Sequence, residues 1–406
     1  MPIFVLIIAG IFALDVIWAI ASVRLSRGLP HRSWWLALSL LFVGAQLAGL
    51  ATVVLSRAFR ANWDRSLPRS VVSGVLLWHL LGLGLLLIGL PLGLVWGLAR
   101  CSRRRLSPAQ PAERELPVPV SPAAPAPISR GQFLKMTALA TPPLFTVFLS
   151  TITQAQLRHF RVRRFILPMA GLPRDLDGMT IAHVSDMHLG RLTSAPVLRA
   201  MVKTVNDLRT DLVLLTGDLI NDELTDLTEG LVLASALQGR YGHCMIEGNH
   251  DLLESRSVFE TRARNSPVPF LVDETLTVPV RGYPVQLLGL RWEAGGGGRD
   301  EVIARSARPL LAQRQPDTFP ILLAHHPHAF DTAAEMDIPL TLSGHTHGGQ
   351  LMLSENVGVG PVLYRYWSGH YQRNRSQLIV SNGVGNWFPL RIDAPAEIVH
   401  LTLRRV

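Results

Sequence analysis

Cysteine is nearly missing from this 406-residue chain, and the two present, Cys101 and Cys244, exclude a disulfide framework as its source of stability. Acidic residues are as scarce in the first 165 positions: four, against 18 lysines and arginines, whereas the remainder carries 26 acidic and 21 basic residues. The formal net charge of +9 therefore belongs to the N-terminal part. The basic residues there flank apolar runs and form no stripe with interleaved aromatics, which argues against nucleic acid as a partner despite a pI near 10.4. No serine nucleophile elbow occurs, and no P-loop lysine follows the four glycines Gly295 to Gly298, which read as a flexible linker.

What the chain has in abundance is apolar residues, 48% of the total with a mean hydropathy of +0.26, a balance that makes lipid the solvent for part of it. Ile3 to Val23 (broken only by Asp15), Trp34 to Leu55 and Val71 to Leu98 each approach the roughly 20 residues that a spanning helix needs. Residues 1–106 thus read as three transmembrane helices, with Asp15 and His79 as structural polar residues facing neighbouring helices. Residues 107–128 are too rich in proline and alanine to build a core and read as an extended linker. Residues 129–171 hold a fourth, shorter apolar run, Met136 to Thr153, followed by a basic juxtamembrane segment with Arg158, Arg161, Arg163 and Arg164. Ser129 to Lys135 resembles a twin-arginine export signal, with Gly131 where the second arginine belongs. The loop between the third and fourth runs is the most basic, which places it in the cytoplasm and residues 172–406 on the extracytoplasmic side.

From Leu172 onward short apolar runs each end in a polar cluster. Thr180 to Val184 leads into Ser185-Asp186-Met187-His188, Leu212 to Leu215 into Thr216-Gly217-Asp218, and Tyr241 to Ile246 into Glu247-Gly248-Asn249-His250-Asp251. Ile321 to Leu323 leads into Ala324-His325-His326-Pro327, and Pro339 to Leu342 into Ser343-Gly344-His345-Thr346-His347-Gly348-Gly349-Gln350. Five strands that deliver polar residues at their C-terminal ends describe a layered α/β site, because loops converge on one crevice where strands stop. Oxygen and imidazole donors without thiolate suit Mn, Fe or Zn and exceed what one four-coordinate ion takes, so two ions about 3.5 to 4 Å apart are implied.

The clusters DMH, GD, GNHD, HHP and GHTH, in this order, resemble the calcineurin-like metallophosphoesterase superfamily. The GHTHGGQ form and the stretch from Ser381 to Leu403 are similar to its YkuE/YaeI-type membrane-associated bacterial branch. That resemblance covers residues 172–406 and implies a four-layer α/β/β/α sandwich behind an all-α transmembrane bundle in a bacterial cell membrane. It also implies that Asp186, His188 and His347 hold one ion, that Asn249, His325 and His345 hold the other, and that Asp218 bridges them. His250 would be the general acid, with Asp251 as the carboxylate orienting it. Two cations would bring the pKa of a water between them from about 16 toward roughly 7, and His250 would protonate the leaving oxygen.

The expected reaction is hydrolysis of a phosphomonoester, phosphodiester or pyrophosphate, and the membrane tether suggests a lipid-linked or envelope substrate. The alternative is a membrane sensor or scaffold that binds metal and phosphate without turnover. His183, His243, His370 and His400, in or beside apolar strands, read as structural histidines, and His326 and His328 as surface or supporting ones. Trp367, Tyr371, Trp387 and Phe388 are either a substrate rim or a cap on the core, which the sequence does not separate.

Overall fold

The computed structural model describes residues 2–58, 66–79, 82, 128–293, 300–354 and 356–406. The chain divides into two compact units, Met1–Ile152 and Thr153–Val406. In the first, helix α1 covers Pro2–Leu25 and α2 covers Arg32–Ala58, residues 69–79 are helical, and α3 (Arg130–Gln156), whose last four residues belong to the second unit, carries Pro142 and Pro143 inside it. Among the described residues, two helices are long and apolar enough to cross a membrane, Arg32–Ser56 and Arg130–Gln156. Most of the run expected between Val71 and Leu98, the linker up to residue 127 and the four-glycine loop lie outside the described residues. Asp15 is buried, accepting from Trp78 Nε1 at 2.8 Å and meeting His79 Nε2 at 3.0 Å, so both intramembrane-type polar residues are each other's partners.

The second unit holds two mixed sheets. One runs β1 (Arg161–Met169), β13 (Glu397–Arg405), β2 (Thr180–Val184), β3 (Leu212–Thr216) and β4 (His243–Ile246), in that spatial order. The other runs β11 (Gly369–Arg373), β12 (Ser376–Val380), β8 (Leu340–Ser343), β7 (Phe319–Leu323), β6 (Tyr283–Gly289) and β5 (Glu274–Val280). Strands β2, β3 and β4 are mutually parallel, as are β6, β7, β8 and β12. The arginines Arg161, Arg163 and Arg164, expected in a juxtamembrane segment, stand on β1, in parallel register with β13.

Side-chain alternation sorts the core into layers. Leu212 and Leu214 join Ile321, Leu323, Leu340, Leu342, Ile379, Leu401 and Cys244 in one buried cluster drawn from both sheets. Val213 and Leu215 point the other way, into a cluster with Leu198, Met201 and Val205 of a helix over Ala195–Asp207 and with Phe259 of another over Arg256–Arg264. Leu288 and Leu322 likewise meet Ala307, Leu310, Ala329 and Ala333 on helices Asp300–Leu311 and Ala329–Glu335. Strands buried on both faces explain why they read as continuous apolar runs instead of alternating ones.

Glu397 opens β13 with its carboxylate fully buried. It accepts from Arg161 Nη2 at 2.9 Å, from Arg163 Nη1 at 3.5 Å and from the Asn382 amide at 3.2 Å, which ties the first sheet to the loop behind the polar strand tips. Both arginines keep contact with water, so the loss on Glu397→Ala should fall below that of a wholly buried pair, at about 2 to 3 kcal/mol. Urea unfolding of the detergent-solubilised chain, followed by tryptophan fluorescence, should show that loss, while Arg164→Ala, an exposed change on the same strand, should leave the midpoint unmoved.

Candidate metal centre

All five polar clusters emerge at the C-terminal ends of parallel strands. Asp186 and His188 follow β2, Asp218 follows β3, Asn249 follows β4, His325 follows β7, and His345 and His347 follow β8. Asp186, His188, Asp218, His325 and His347 are buried, and Asn249 and His345 are half-buried. His347 Nε2 lies 3.2 Å from Asp186 Oδ1 and 3.0 Å from His188 Nε2, which in turn is 3.5 Å from Asp218 Oδ2. On the far side of Asp218, His325 Nε2 lies 3.1 Å from the same Oδ2, the His325 and His345 rings are 5.1 Å apart, and His345 Nδ1 meets Asn249 Oδ1 at 2.8 Å. The structure thus brings all seven expected ligand residues into one cluster with Asp218 at its middle.

Five of those seven have a left-handed backbone without being glycine: Asp186 (φ 54°), His188 (43°), Asp218 (55°), His345 (71°) and His347 (50°). Each such residue costs on the order of 1 to 3 kcal/mol and persists only where its surroundings over-determine it. Here the surroundings are main-chain bonds between loops: Asp186 N to Gly217 O at 3.0 Å, His188 N to Asp218 O at 2.9 Å and Gly385 N to Asp186 O at 2.7 Å. The Asp251 carboxylate adds three more by accepting from the amides of Asp218, Ile220 and Gly248 at 2.9 to 3.0 Å. That work replaces the role expected of Asp251. The group that orients His250 is the Asn221 carbonyl, 2.6 Å from Nδ1, because a carbonyl can only accept and so fixes the proton on Nδ1.

The donor set fits divalent first-row cations. His325 donates Nδ1–H to Thr216 O at 2.6 Å, which leaves Nε2, facing Asp218, as the nitrogen that a cation would take in place of a proton. Three groups of three ligand atoms each lie within 4.8 Å: Asp186, His188 and His347; Asp186, Asp218 and His325; and His188, Asp218 and His250. Burial pushes the Asp218 carboxyl up, but the neighbouring histidines, His325 foremost, outweigh burial and hold it well below the usual carboxylate range. Burial lowers His325 and the Asp218 charge more than reverses this, raising it to about 9. Two carboxylates kept ionised among imidazoles in a dry cluster is what a cation site offers.

Arg391 is the functional residue that sequence reasoning missed. It is buried, and its guanidinium donates to Asn386 Oδ1 at 2.7 Å, to the carbonyls of Asn382, Ala394 and Gly385, and to His347 Nδ1 at 2.8 Å. A guanidinium only donates, so the neutral His347 ring carries its proton on Nε2, facing Asp186; to bind a cation at that nitrogen as a neutral ring, the proton would have to move to Nδ1 and the Arg391 contact there be given up. The signal was in the run Phe388-Pro389-Leu390-Arg391-Ile392, a lone cation among apolar residues.

The aromatic question divides. Trp387 is 43% exposed with its ring 6.3 Å from that of His250 and 6.4 Å from that of His347, a rim position, whereas Phe388 is buried and Trp367 packs on Tyr371. Trp292, not singled out from sequence, lies 5.0 Å from His345 and 5.9 Å from His326, forming the opposite wall. His328 is engaged by Asp300 at 2.8 Å, and His183 by Thr216 Oγ1 at 2.8 Å.

A family model described as calcineurin-like phosphoesterase matches residues 179–349. The chain is 30% identical over 249 residues to the uncharacterized metallophosphoesterase YkuE of Bacillus subtilis, covering 57% of this chain and 82% of that protein. It is 27% identical over 258 residues to a Danio rerio protein named transmembrane protein with metallophosphoesterase domain, covering 59% and 56%. An uncharacterized metallophosphoesterase of Helicobacter pylori strain J99 is 30% identical over 228 residues, covering 55% and 60%. The chain therefore spans less than two thirds of the latter two proteins.

A Cβ on Gly248 would overlap Asp218 Oδ1, which accepts from the His250 amide, and stand 2.5 Å from the Asp218 amide nitrogen, which the Asp251 carboxylate holds. Gly248→Ala should therefore leave the circular dichroism spectrum intact and weaken metal affinity by about 10- to 100-fold or more, measured by metal analysis after dialysis against graded metal buffers.

Proposed function

Because the chain belongs to the calcineurin-like phosphoesterase family, whose members are metal-dependent phosphoric ester hydrolases, we propose that it is a membrane-anchored dinuclear-metal phosphoesterase acting on phosphomonoester, phosphodiester or pyrophosphate bonds. The observation that carries this reading is the position of Asp218, within 3.5 Å of a ring nitrogen on each side, between the Asp186–His188–His347 group and the Asn249–His325–His345 group. Asp186, His188 and His347 would hold one cation, Asn249, His325 and His345 the other, and Asp218 would be shared. When bound, Mn, Fe or Zn ions there supply the positive charge that acidifies a water and neutralises phosphoryl oxygens.

The chain's own residues do the rest. Asn221 O holds the proton of His250 on Nδ1, which leaves Nε2 to take and deliver a proton, and the His250 amide donates to Asp218 Oδ1 at 2.8 Å, so the acid is fixed to the shared carboxylate. Burial lowers the pKa of His250 and the Asp218 charge opposes it. An incoming phosphate adds negative charge and favours the protonated ring that a general acid needs. Trp387 and Trp292 narrow the mouth and exclude water from the cluster.

The division into a transmembrane part and a catalytic part, expected at residue 171/172 but with β1 (Arg161–Met169) standing in the catalytic unit's sheet, the place of that unit on the extracytoplasmic side, and a lipid-linked substrate belong to the same proposal. Of these, the two apolar helices among the described residues and the Danio rerio relative's name support the membrane anchoring.

Two measurements test the assignment. The purified chain should contain about two metal ions and hydrolyse bis-p-nitrophenyl phosphate or p-nitrophenyl phosphate in a chelator-sensitive way; metal without turnover would favour a sensor. His250→Ala should retain metal and lose on the order of 10²- to 10⁴-fold in kcat with poor leaving groups, and far less with nitrophenolate. An equal loss across leaving groups would remove His250 from the acid role.

A further inference from the structure

Twelve large apolar side chains are exposed among the described residues of Thr153–Val406, and five of them fall within eleven positions: Leu353, Val357, Val359, Val362 and Leu363. Leu353 is 82% exposed and Val362 80%. The others are scattered, as single exposed apolar residues normally are, whereas a contiguous group of this kind marks a surface that something covers. The stretch Leu351–Tyr364 has one charged residue, Glu355, in fourteen.

Its framework does not look self-sufficient. β9 (Met352–Ser354) and β10 (Val357–Gly358) form an isolated two-stranded hairpin with a register shift, followed by the short helix Val359–Leu363. Such hairpins are marginal in water without a further partner. The stretch is nonetheless rooted at both ends in the metal cluster. His347 lies four residues before Leu351, and Tyr364 closes the stretch with its ring 5.7 Å from that of His345 and 6.1 Å from that of His326.

The occupant is indicated by the chain that enters this unit. Gln156, the last residue of the apolar helix Arg130–Gln156, clamps Arg391 by both main-chain groups: Nε2 donates to Arg391 O at 2.9 Å and Oε1 accepts from Arg391 N at 3.2 Å. The next residue, Ile392, pairs with the root of the hairpin, its amide donating to Gln350 O and its carbonyl accepting from Met352 N, both at 2.9 Å. Ile392 is itself 43% exposed. The apolar stretch is thus two residues of main chain away from the point where a helix apolar enough to span a bilayer delivers the chain.

We propose that Leu351–Leu363 is a lipid-dipping flap, whose exposed aliphatic side chains enter the interfacial layer of the membrane and hold the mouth of the metal cluster against it. A phosphoester carried on a lipid then reaches the metal centre without leaving the bilayer surface. This last consequence rests on the phosphoesterase reading; the lipid contact does not.

The test uses the full chain in nanodiscs, with Cys101→Ser to clear the background, Cys244 being buried in the core and out of the dye's reach, and one added cysteine per variant, L353C, V362C or V232C, labelled with an environment-sensitive nitrobenzoxadiazole dye. Val232 is 64% exposed on the helix Leu227–Ser235 and serves as the reference. Labels at 353 and 362 should emit to the blue and lose at least about half of their intensity to doxyl-labelled lipid, while the label at 232 should not. Equal quenching at all three positions, or none at 353 and 362, would overturn the proposal. Blue-shifted emission that doxyl lipid leaves untouched, with energy transfer between labelled copies, would replace the lipid with a second copy of the chain. Turnover of p-nitrophenyl phosphate by the same labelled samples reports separately on the catalytic reading.

Discussion

The structure depends on holding polar residues in a backbone conformation that they resist. Asp186, His188, Asp218, His345 and His347 all have positive φ, and each sits where a buried strand stops. In an extended chain Asp186 and His188, two residues apart, would share a face but stand about 7 Å apart along the strand. The left-handed turns draw the two side chains together, His188 Nε2 lying 3.8 Å from Asp186 Oδ1. The sandwich supplies what this costs: two sheets with a common buried interior fix the strand ends, and cross-loop amide bonds fix the turns.

Electrostatics adds a second layer of mutual dependence. The surrounding imidazoles hold the Asp218 carboxyl below its usual range against the effect of burial, and the Asp218 charge in turn raises His325. Arg391 presses on this balance from behind by donating to His347 and is itself held by carbonyls from four residues. Burial lowers the Arg391 pKa to about 10, which still leaves it a cation at neutral pH. Removal of any one member would leave buried charge unmatched, which is more costly than a missing neutral hydrogen bond.

The strand tips were legible in the sequence because two signals coincide there, an apolar run long enough for one strand and a polar cluster with glycine beside it. Hence Thr180–Val184 is β2 to the residue, and the other four expected runs differ from their strands by one or two residues at an end. What stayed hidden acts through main-chain atoms or across long separations. The Asn221 carbonyl that orients His250 leaves no trace in residue identity. Asp251 was assigned to its neighbour in sequence, whereas its partners are amides of other loops. β1 was read as a basic juxtamembrane stretch because Arg161, Arg163 and Arg164 dominate it, and only Glu397, more than 230 residues later, explains two of those arginines.

The position of β13 has a consequence for the order of assembly. It follows every other strand in the chain yet lies between β1 and β2, and Arg391 precedes it by six residues. Until β13 is synthesised β1 is separated from the other three strands of the first sheet and β2 has an open edge. Strands β2, β3 and β4 must therefore wait for more than 150 further residues with that edge unpaired, a period of exposure to mispairing. The seven residues of the cluster, the last of them His347, are all on the chain before the strand that completes the sheet beneath Asp186 and Asp218.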